Sequence, residues 1–236
     1  MFSSKSFQGS FAKLLASLFF LLAAAQLCIA APYSTQLSVR DDHHLYARKS
    51  TPELEEYKRK LEASTRVQQD STQFMDFTPA QNHMIASDGF QGCFGVILAT
   101  KQGAVVGHYN QDKEHFEQAK KEIGDYYRDH NDVLGGAATF VYAAYNHREQ
   151  HIIEQDLLDK YKDFLRELTG NEPKEHTYTE AIETLTDEEL DTIGWDEDAI
   201  AGGFVIENSG GGSADSSIYF ITIETQRDSA LPARRL

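Results

Sequence analysis

A glycine–cysteine pair and a later histidine are the residues whose types and spacing point to chemistry. Gly92 and Cys93 lead into an apolar run, and His108 follows fifteen residues after the cysteine. In a hairpin that turns near Lys101–Gly103, the thiol and the imidazole fall within about one residue pair of facing each other, roughly 5–8 Å apart. An imidazole that takes the thiol proton creates a thiolate nucleophile, which is what a Cys/His hydrolase requires.

Structural roles for the same residues are the alternative. A lone buried cysteine commonly packs as a small hydrophobic residue, and a histidine at the end of a strand is commonly solvated or hydrogen-bonded. If the pair is catalytic, Gly92 leaves room for a substrate carbonyl, and the amide of Cys93 with a neighbouring amide would form an oxyanion hole. Such a mechanism needs no metal and no organic cofactor.

The stretch Phe90-Gln-Gly-Cys-Phe-Gly-Val-Ile97, followed by Val106-Gly-His108, resembles the Gly-Cys…His core of the glutamine deamidases. This group includes the bacterial chemoreceptor deamidase and the cytotoxic necrotizing factor toxins, and exported fungal proteins of unknown role carry a similar stretch. The resemblance implies a β-sandwich with flanking helices, with the cysteine at the start of one strand and the histidine on the next. It implies hydrolysis of a protein glutamine side-chain amide to glutamate, with release of ammonia.

The resemblance covers about residues 85–145, and its motif is short. The toxin motif has a serine before the glycine, where this chain has Gln91. Some members place a hydroxyl residue six positions before the cysteine to orient the histidine. Ser87 stands at that position, so the resemblance implies a site of Cys93, His108 and Ser87, although Ser87 is equally typical of a turn.

Hydrophobic periodicity predicts the elements that would position these residues. Helices are predicted from Pro52 to about Gln69, at Asp112–His130 and at Ile152–Thr169, and the first is polar enough to pack only weakly. Strands are predicted at 94–100, 104–109, 137–145, 203–207 and 217–225. This order predicts an α+β fold, a mixed β-sandwich with flanking helices.

The N-terminus has the composition of a secretory signal peptide. Lys5 and Lys13 precede the apolar run 14–25, and Ala30 fits the last position before cleavage. The run is too short to cross a ~30 Å hydrocarbon core comfortably, although an uncleaved anchor is the alternative. We therefore expect an extracellular, secreted protein with a signal peptide (1–30), a polar segment with one helix (31–72), a deamidase-like domain (73–226) and a C-terminal tail (227–236).

The charge of the chain bears on its partners. The net charge is −15, and removal of residues 1–30 takes away two lysines and no acidic residue, which leaves −17. Nucleic acid and anionic membrane surfaces both need a basic footprint, so neither is expected as a partner once the signal peptide is gone. Cys93 is then the single cysteine, and an unpaired thiol in an oxidising compartment is unusual.

Two histidine pairs are candidate metal ligands. His147 and His151 are four residues apart, but Glu149 does not follow the first histidine, so the zinc-protease pattern is missing. His43 and His44 follow two aspartates and offer at most a weak site. We therefore predict no metal.

Three functions remain in competition. The first is a secreted deamidase that acts on a protein substrate, and it predicts a low thiol pKa at Cys93 and ammonia release. The second is a non-enzymatic secreted interaction or effector protein on the same scaffold, and it predicts an inert thiol. A cysteine protease is less favoured, because its cysteine usually begins a helix, whereas Cys93 precedes a strand. The sequence does not set the oligomeric state.

Overall fold

The computed structural model describes residues 52–146, 148–180, 185–188, 202–222 and 233–235. The predicted signal peptide and the histidines at 43, 44 and 147 lie outside these residues. None of the helices in the described part of the chain is long and apolar enough to cross a membrane.

Helices and strands alternate irregularly along the described chain. The helices are α1 (Pro52–Ala63), α2 (Lys113–Asp129), α3 (Asn131–Leu134) and α4 (Gln155–Thr169). The strands are β1 (Thr65–Arg66), β2 (Ser71–Asp76), β3 (His83–Asp88), β4 (Cys93–Ala99), β5 (Gly103–Asn110), β6 (Ala138–Asn146), β7 (His151–Ile152), β8 (Lys174–Thr179), β9 (Gly202–Asn208), β10 (Ser217–Thr222) and β11 (Ala233–Arg235).

The strands form two sheets that face each other. One sheet has the order β2-β5-β4-β6-β7, with β8 parallel to β6, and the other has the order β1-β3-β9-β10-β11. Their inner faces share one apolar cluster, to which Cys93 and Ile97 contribute from the first sheet and Ile85 and Phe204 from the second. Since helices also flank the sheets, the predicted α+β sandwich is confirmed.

Strand β4 lies at the centre of the first sheet and is buried on both faces. Alternate residues such as Cys93 and Ile97 face the sandwich interior, because successive side chains of a strand point to opposite sides. Phe94 and Val96 face outward, into a second apolar cluster built with α2 and α4. Burial on both faces explains why this segment reads as an unbroken apolar run.

The first helix differs from the prediction in length and in packing. It ends at Ala63 and not near Gln69, because the chain turns there and continues as β1, which pairs in parallel with β3. Leu54, Tyr57 and Leu61 share one face of α1 and are at most 6 % exposed, against the outer face of the second sheet. The expectation of weak packing was therefore wrong.

The remaining predicted elements differ mainly at their ends. The fourth helix begins at Gln155, since Ile152 belongs to the short strand β7. The predicted hairpin near the C-terminus is present as β9 and β10, which pair with Ile206 opposite Ile218.

Candidate active site

The predicted hairpin places the cysteine and the histidine on one sheet face. Strands β4 and β5 pair so that Cys93 faces Asn110 and Gly95 faces His108. Residues that face each other across an antiparallel ladder share a side of the sheet. These four residues therefore form one patch on the inner face, with Cys93 and His108 on its diagonal, as the spacing predicts.

The Cys93 thiol is buried and only weakly hydrogen-bonded. The residue is 3 % exposed. Its Sγ lies 3.6 Å from Oδ1 of Asn110 and 3.8 Å from the carbonyl oxygen of Gln91. Burial raises the pKa of the thiol to about 11, and the carboxylates of Asp70 and Glu180 add to the effect. In this arrangement Cys93 is a neutral thiol at physiological pH.

His108 is held by a hydroxyl from the opposite sheet. Ser87, on β3, donates its single proton to the carbonyl oxygen of Val67 at 2.8 Å. Its Oγ also lies 2.9 Å from Nδ1 of His108. Because the Ser87 proton is already engaged, we assign the proton of this second bond to Nδ1.

The assigned tautomer leaves Nε2 of His108 with a free lone pair. This atom is buried and has no hydrogen-bond partner among the residues that the structure describes, so the thiol of Cys93 is not bonded to it in this arrangement. Burial lowers the pKa of His108 to about 4, and the imidazole is neutral at physiological pH. The site therefore contains a free base and a protonated nucleophile, and a side-chain rotation has to bring the two together before a proton is transferred.

Tyr178 on β8 holds the backbone of Cys93. Its hydroxyl accepts a hydrogen bond from the Cys93 amide at 2.7 Å and donates one to the Cys93 carbonyl oxygen at 2.8 Å. Strands β4 and β6 pair from Gly95 onward, and the amide and carbonyl of Cys93 precede this pairing. The Tyr178 hydroxyl therefore binds these two groups in place of a neighbouring strand. The Cys93 amide is therefore not free to bind an oxyanion, contrary to the sequence-based expectation.

An unpartnered donor lies beside Gly92, the residue before the cysteine. Nε2 of Gln111 is buried, and no atom in the described part of the chain forms a hydrogen bond with it. The Gln111 side chain lies beside Gly92, since a Cβ added to that glycine would be 4.0 Å from its Oε1. Gly92 itself has a φ of +70°, a conformation that favours glycine. A buried donor without a partner is costly, so this amide would gain from a hydrogen-bond acceptor.

The aromatic ring of Phe90 closes the site. It stacks on the imidazole of His108 with 3.9 Å between ring centroids and 15° between ring planes. Phe90 is fully buried, and it also contacts Tyr142, Tyr178 and Phe204. His108 is 2 % exposed, so both reactive side chains are shielded from solvent.

Features elsewhere in the described chain do not join this site. No cluster of three or more His, Cys, Asp or Glu side chains in the described ranges could hold a metal ion. An open cavity of about 430 Å³ lies between β2 and α2 and is lined by Ser71, Thr72, Glu122, Asp125, Tyr126 and Asp129. It contains neither Cys93 nor His108.

Three of the residues that meet here were predicted from the sequence, and two others were not. Cys93, His108 and Ser87 lie in one cluster. Tyr178 was missed because its strand has a mostly polar sequence, and Gln111 because a single glutamine carries no distinguishing signal. Comparison with known protein families and with curated proteins finds no match for this chain. The function is therefore inferred from the geometry of the site and from the short motif around Cys93.

Proposed function

We propose that the chain is a Cys/His amidohydrolase that deamidates glutamine side chains of a partner protein. The observation that carries the proposal is the free lone pair on Nε2 of His108, on the same sheet face as Cys93. Ser87 fixes the tautomer through Nδ1. A base, a nucleophile and a group that orients the base are the minimum for covalent acyl transfer, and the Gly-Cys…His motif favours glutamine as the substrate.

In the proposed reaction, Nε2 of His108 takes the proton of the Cys93 thiol, and the thiolate attacks the carbonyl carbon of the glutamine side chain. Nε2 of Gln111 donates a hydrogen bond to the resulting oxyanion. The C–N bond then breaks with its electron pair on nitrogen, and His108 returns the proton so that ammonia leaves a thioester. His108 next takes a proton from water, and the water oxygen attacks the thioester. The C–S bond then breaks with its electron pair on sulfur, and His108 returns the proton to the sulfur, which yields glutamate and the free thiol.

The charge of the chain favours a basic partner. The net charge is −15 and becomes −17 if residues 1–30 are removed. Asp70 and Glu180 add negative charge close to the cysteine, where both raise the thiol pKa. An acidic surface attracts a basic protein and speeds its association. The signal-like N-terminus supports an encounter outside the cell.

A second candidate is a non-enzymatic secreted protein that binds a partner. The burial of Cys93 and its raised thiol pKa favour this alternative, since a catalytic thiol is ordinarily exposed and acidic. In that case Cys93 is a core residue. Replacing it with the apolar Val would then leave partner binding unchanged.

Deamidation is tested with a panel of unstructured peptides in which glutamine is flanked by basic residues. Peptide mass and free ammonia are measured after incubation with the wild type, Cys93→Ala, His108→Ala and, as a matched control, Ser216→Ala. Ser216 is a buried serine whose Oγ bonds the carbonyl oxygen of Thr100, outside the site.

We expect a mass increase of about 1 Da per glutamine and release of ammonia with the wild type and Ser216→Ala. Both signals should be absent with Cys93→Ala and strongly reduced with His108→Ala. Equal release by wild type and Cys93→Ala, or no release by the wild type, would contradict the proposal and favour the binding protein.

A further inference from the structure

We infer that the ring of Phe90 occupies the position of the substrate carboxamide, and that the segment Gly89–Gly92 carries it out when substrate binds. The inference rests on the proposed function, since it describes how that site is filled. The substrate slot would lie inside the sandwich, and the Phe90 side chain closes it in the absence of substrate.

The first observation is the place of the ring in the patch. Gly95 faces His108 across the ladder and lies on the same face as Cys93. A Cβ added to Gly95 would lie 3.0 Å from Cε1 and Cζ of Phe90 and 2.9 Å from Cε1 of Phe204. The Phe90 ring therefore stands directly over Gly95, next to the diagonal between thiol and imidazole. A carbonyl carbon attacked by Sγ, with its leaving nitrogen protonated by Nε2, has to lie in this space.

The second observation is the shape of the slot. Without Phe90 it would be bounded by His108, Tyr142, Tyr178 and Phe204, whose ring centroids lie 3.9, 5.2, 5.9 and 5.6 Å from that of Phe90. Aromatic walls on several sides suit a flat group. Among the described residues, Nε2 of His108 is an acceptor without a partner, and the Gln111 side chain, whose Nε2 is an unpartnered donor, lies beside Gly92 at the end of the segment. A planar primary carboxamide offers the matching N–H donors and carbonyl acceptor, which the apolar ring cannot.

The third observation is that the segment has a hinge at each end. Gly89 has a φ of +74° with no atom within 4 Å of an added Cβ, and Gly92 has a φ of +70°. Between them, Gln91 is exposed. The Phe90 amide donates to the carbonyl oxygen of Gly202 at 3.2 Å, at the long end of the hydrogen-bond range. Glycines at both ends permit the backbone rotation that removal of the ring requires.

The test measures the rate at which iodoacetamide, a small reagent that carries a primary carboxamide, alkylates Cys93 at fixed neutral pH. The variants are Phe90→Ala and Phe90→Leu, and the matched control is Phe140→Leu. Phe140 is 1 % exposed and lies in the same core cluster, and its aromatic contact is to Phe220. Thermal unfolding of each variant checks that the protein is folded at the labelling temperature. Phe90→Leu preserves enough side-chain volume to fold if Phe90→Ala does not.

We expect labelling to be about 10-fold faster or more in Phe90→Ala than in the wild type, with Phe90→Leu between the two. The control should stay within about 2-fold of the wild type, because general loosening of the core does not empty the slot. In the wild type, hydrogen exchange should show the Phe90 amide opening at least about 10-fold more often than the amides at the centre of β4. Equal labelling of Phe90→Leu and Phe140→Leu, or a Phe90 amide as protected as those of β4, would overturn the inference.

The two proposals fail in different ways. If Phe90→Ala is labelled rapidly but no variant releases ammonia from peptides, the slot exists and the deamidase proposal is wrong. If the wild type releases ammonia while the Phe90 variants are labelled no faster than Phe140→Leu, the deamidase proposal holds and Phe90 does not occupy the slot.

Discussion

The hydroxyl of Tyr178 binds both the amide and the carbonyl of Cys93, at 2.7 and 2.8 Å. Eighty-five residues separate the two in sequence, and the contact completes the sheet at the point where β6 no longer reaches β4. The tyrosine hydroxyl fixes the backbone of Cys93, and it does not bond the thiol. Tyr178 is thus a positioning residue for Cys93.

Tyr178→Phe should loosen the start of β4. The variant removes the acceptor of the Cys93 amide and leaves that buried group unsatisfied, which costs about 1–3 kcal/mol. Urea unfolding measures this loss, and hydrogen exchange at the Cys93 amide should become faster. Tyr142→Phe is the control, since its hydroxyl donates to the Ile221 carbonyl oxygen at 2.8 Å and its loss should leave exchange at Cys93 unchanged. Unaltered exchange at Cys93 in Tyr178→Phe would refute the positioning role.

Ser87→Ala should change the tautomer of His108. Without the serine oxygen, the Nδ1 proton loses its acceptor, so the population of the Nε2–H form rises. ¹⁵N NMR of the imidazole reports the two forms directly. We also expect a stability loss of about 1–3 kcal/mol, because the Val67 carbonyl loses its donor as well. Ser216→Ala should lose similar stability with no change in the tautomer, and a tautomer that stays as Nδ1–H in Ser87→Ala would show that Ser87 does not set it.

The buried imidazole of His108 should make the protein sensitive to mild acid. Its pKa is lowered from 6.5 to about 4 by burial, so the unfolded chain binds this proton at a higher pH than the folded protein. The contribution of His108 to stability is therefore complete above pH ~6.5 and is lost as the pH falls through ~4, in total on the order of 3 kcal/mol.

His108→Gln isolates this contribution. The other titratable groups change protonation in both proteins, so the difference between their unfolding free energies should vary with pH between ~6.5 and ~4 and level off above that range. Urea unfolding at several pH values measures it. A pH-independent difference would mean that His108 is not titrated at a lowered pKa in the folded protein.

Two glycines should respond to alanine in opposite directions. Gly95→Ala places a Cβ 2.9–3.0 Å from the Phe204 and Phe90 rings, which is overpacking and should destabilise the protein by about 1–3 kcal/mol. Gly124 lies within α2, where an added Cβ would meet Nη1 of Arg128 at an ordinary 3.5 Å. Gly124→Ala should therefore stabilise the protein by about 0.5–1 kcal/mol. Thermal unfolding compares the two, and a neutral Gly95→Ala would show that the Phe90 ring gives way easily.

The hairpin at the centre of the site could be predicted because local signals define it. The apolar run after Cys93, the turn around Gly103 and the returning Val105–Val106 segment specify both strands and their register, and the periodicity from Phe116 to Ile123 specifies α2. These signals need no knowledge of distant residues. The diagonal placement of Cys93 and His108 follows from them alone.

The rest of the site depends on contacts between distant segments. The strands β2, β3 and β8 were not predicted, because sequences such as Lys174–Thr179 are largely polar and show no apolar alternation. Ser87 came from a motif resemblance, and its bond to His108 exists only because the two sheets face each other. The contact of Tyr178 with Cys93 likewise requires β8 to align in parallel with β6, which no local pattern specifies.

The residues that enclose the site lie far toward the C-terminus of the residues they cover, and this order affects folding. Cys93 and His108 lie on a local hairpin, but Tyr178, Gly202 and Phe204, which help to enclose them, are synthesised 70 or more residues later. Until those segments pair, the thiol is exposed to solvent, its pKa is near the ordinary ~8.5, and oxidants reach it. An oxidised Cys93 is too large and too polar for a position that is 3 % exposed in the folded protein. The yield of native protein therefore depends on completion of the C-terminal half of the sandwich before the free thiol is oxidised.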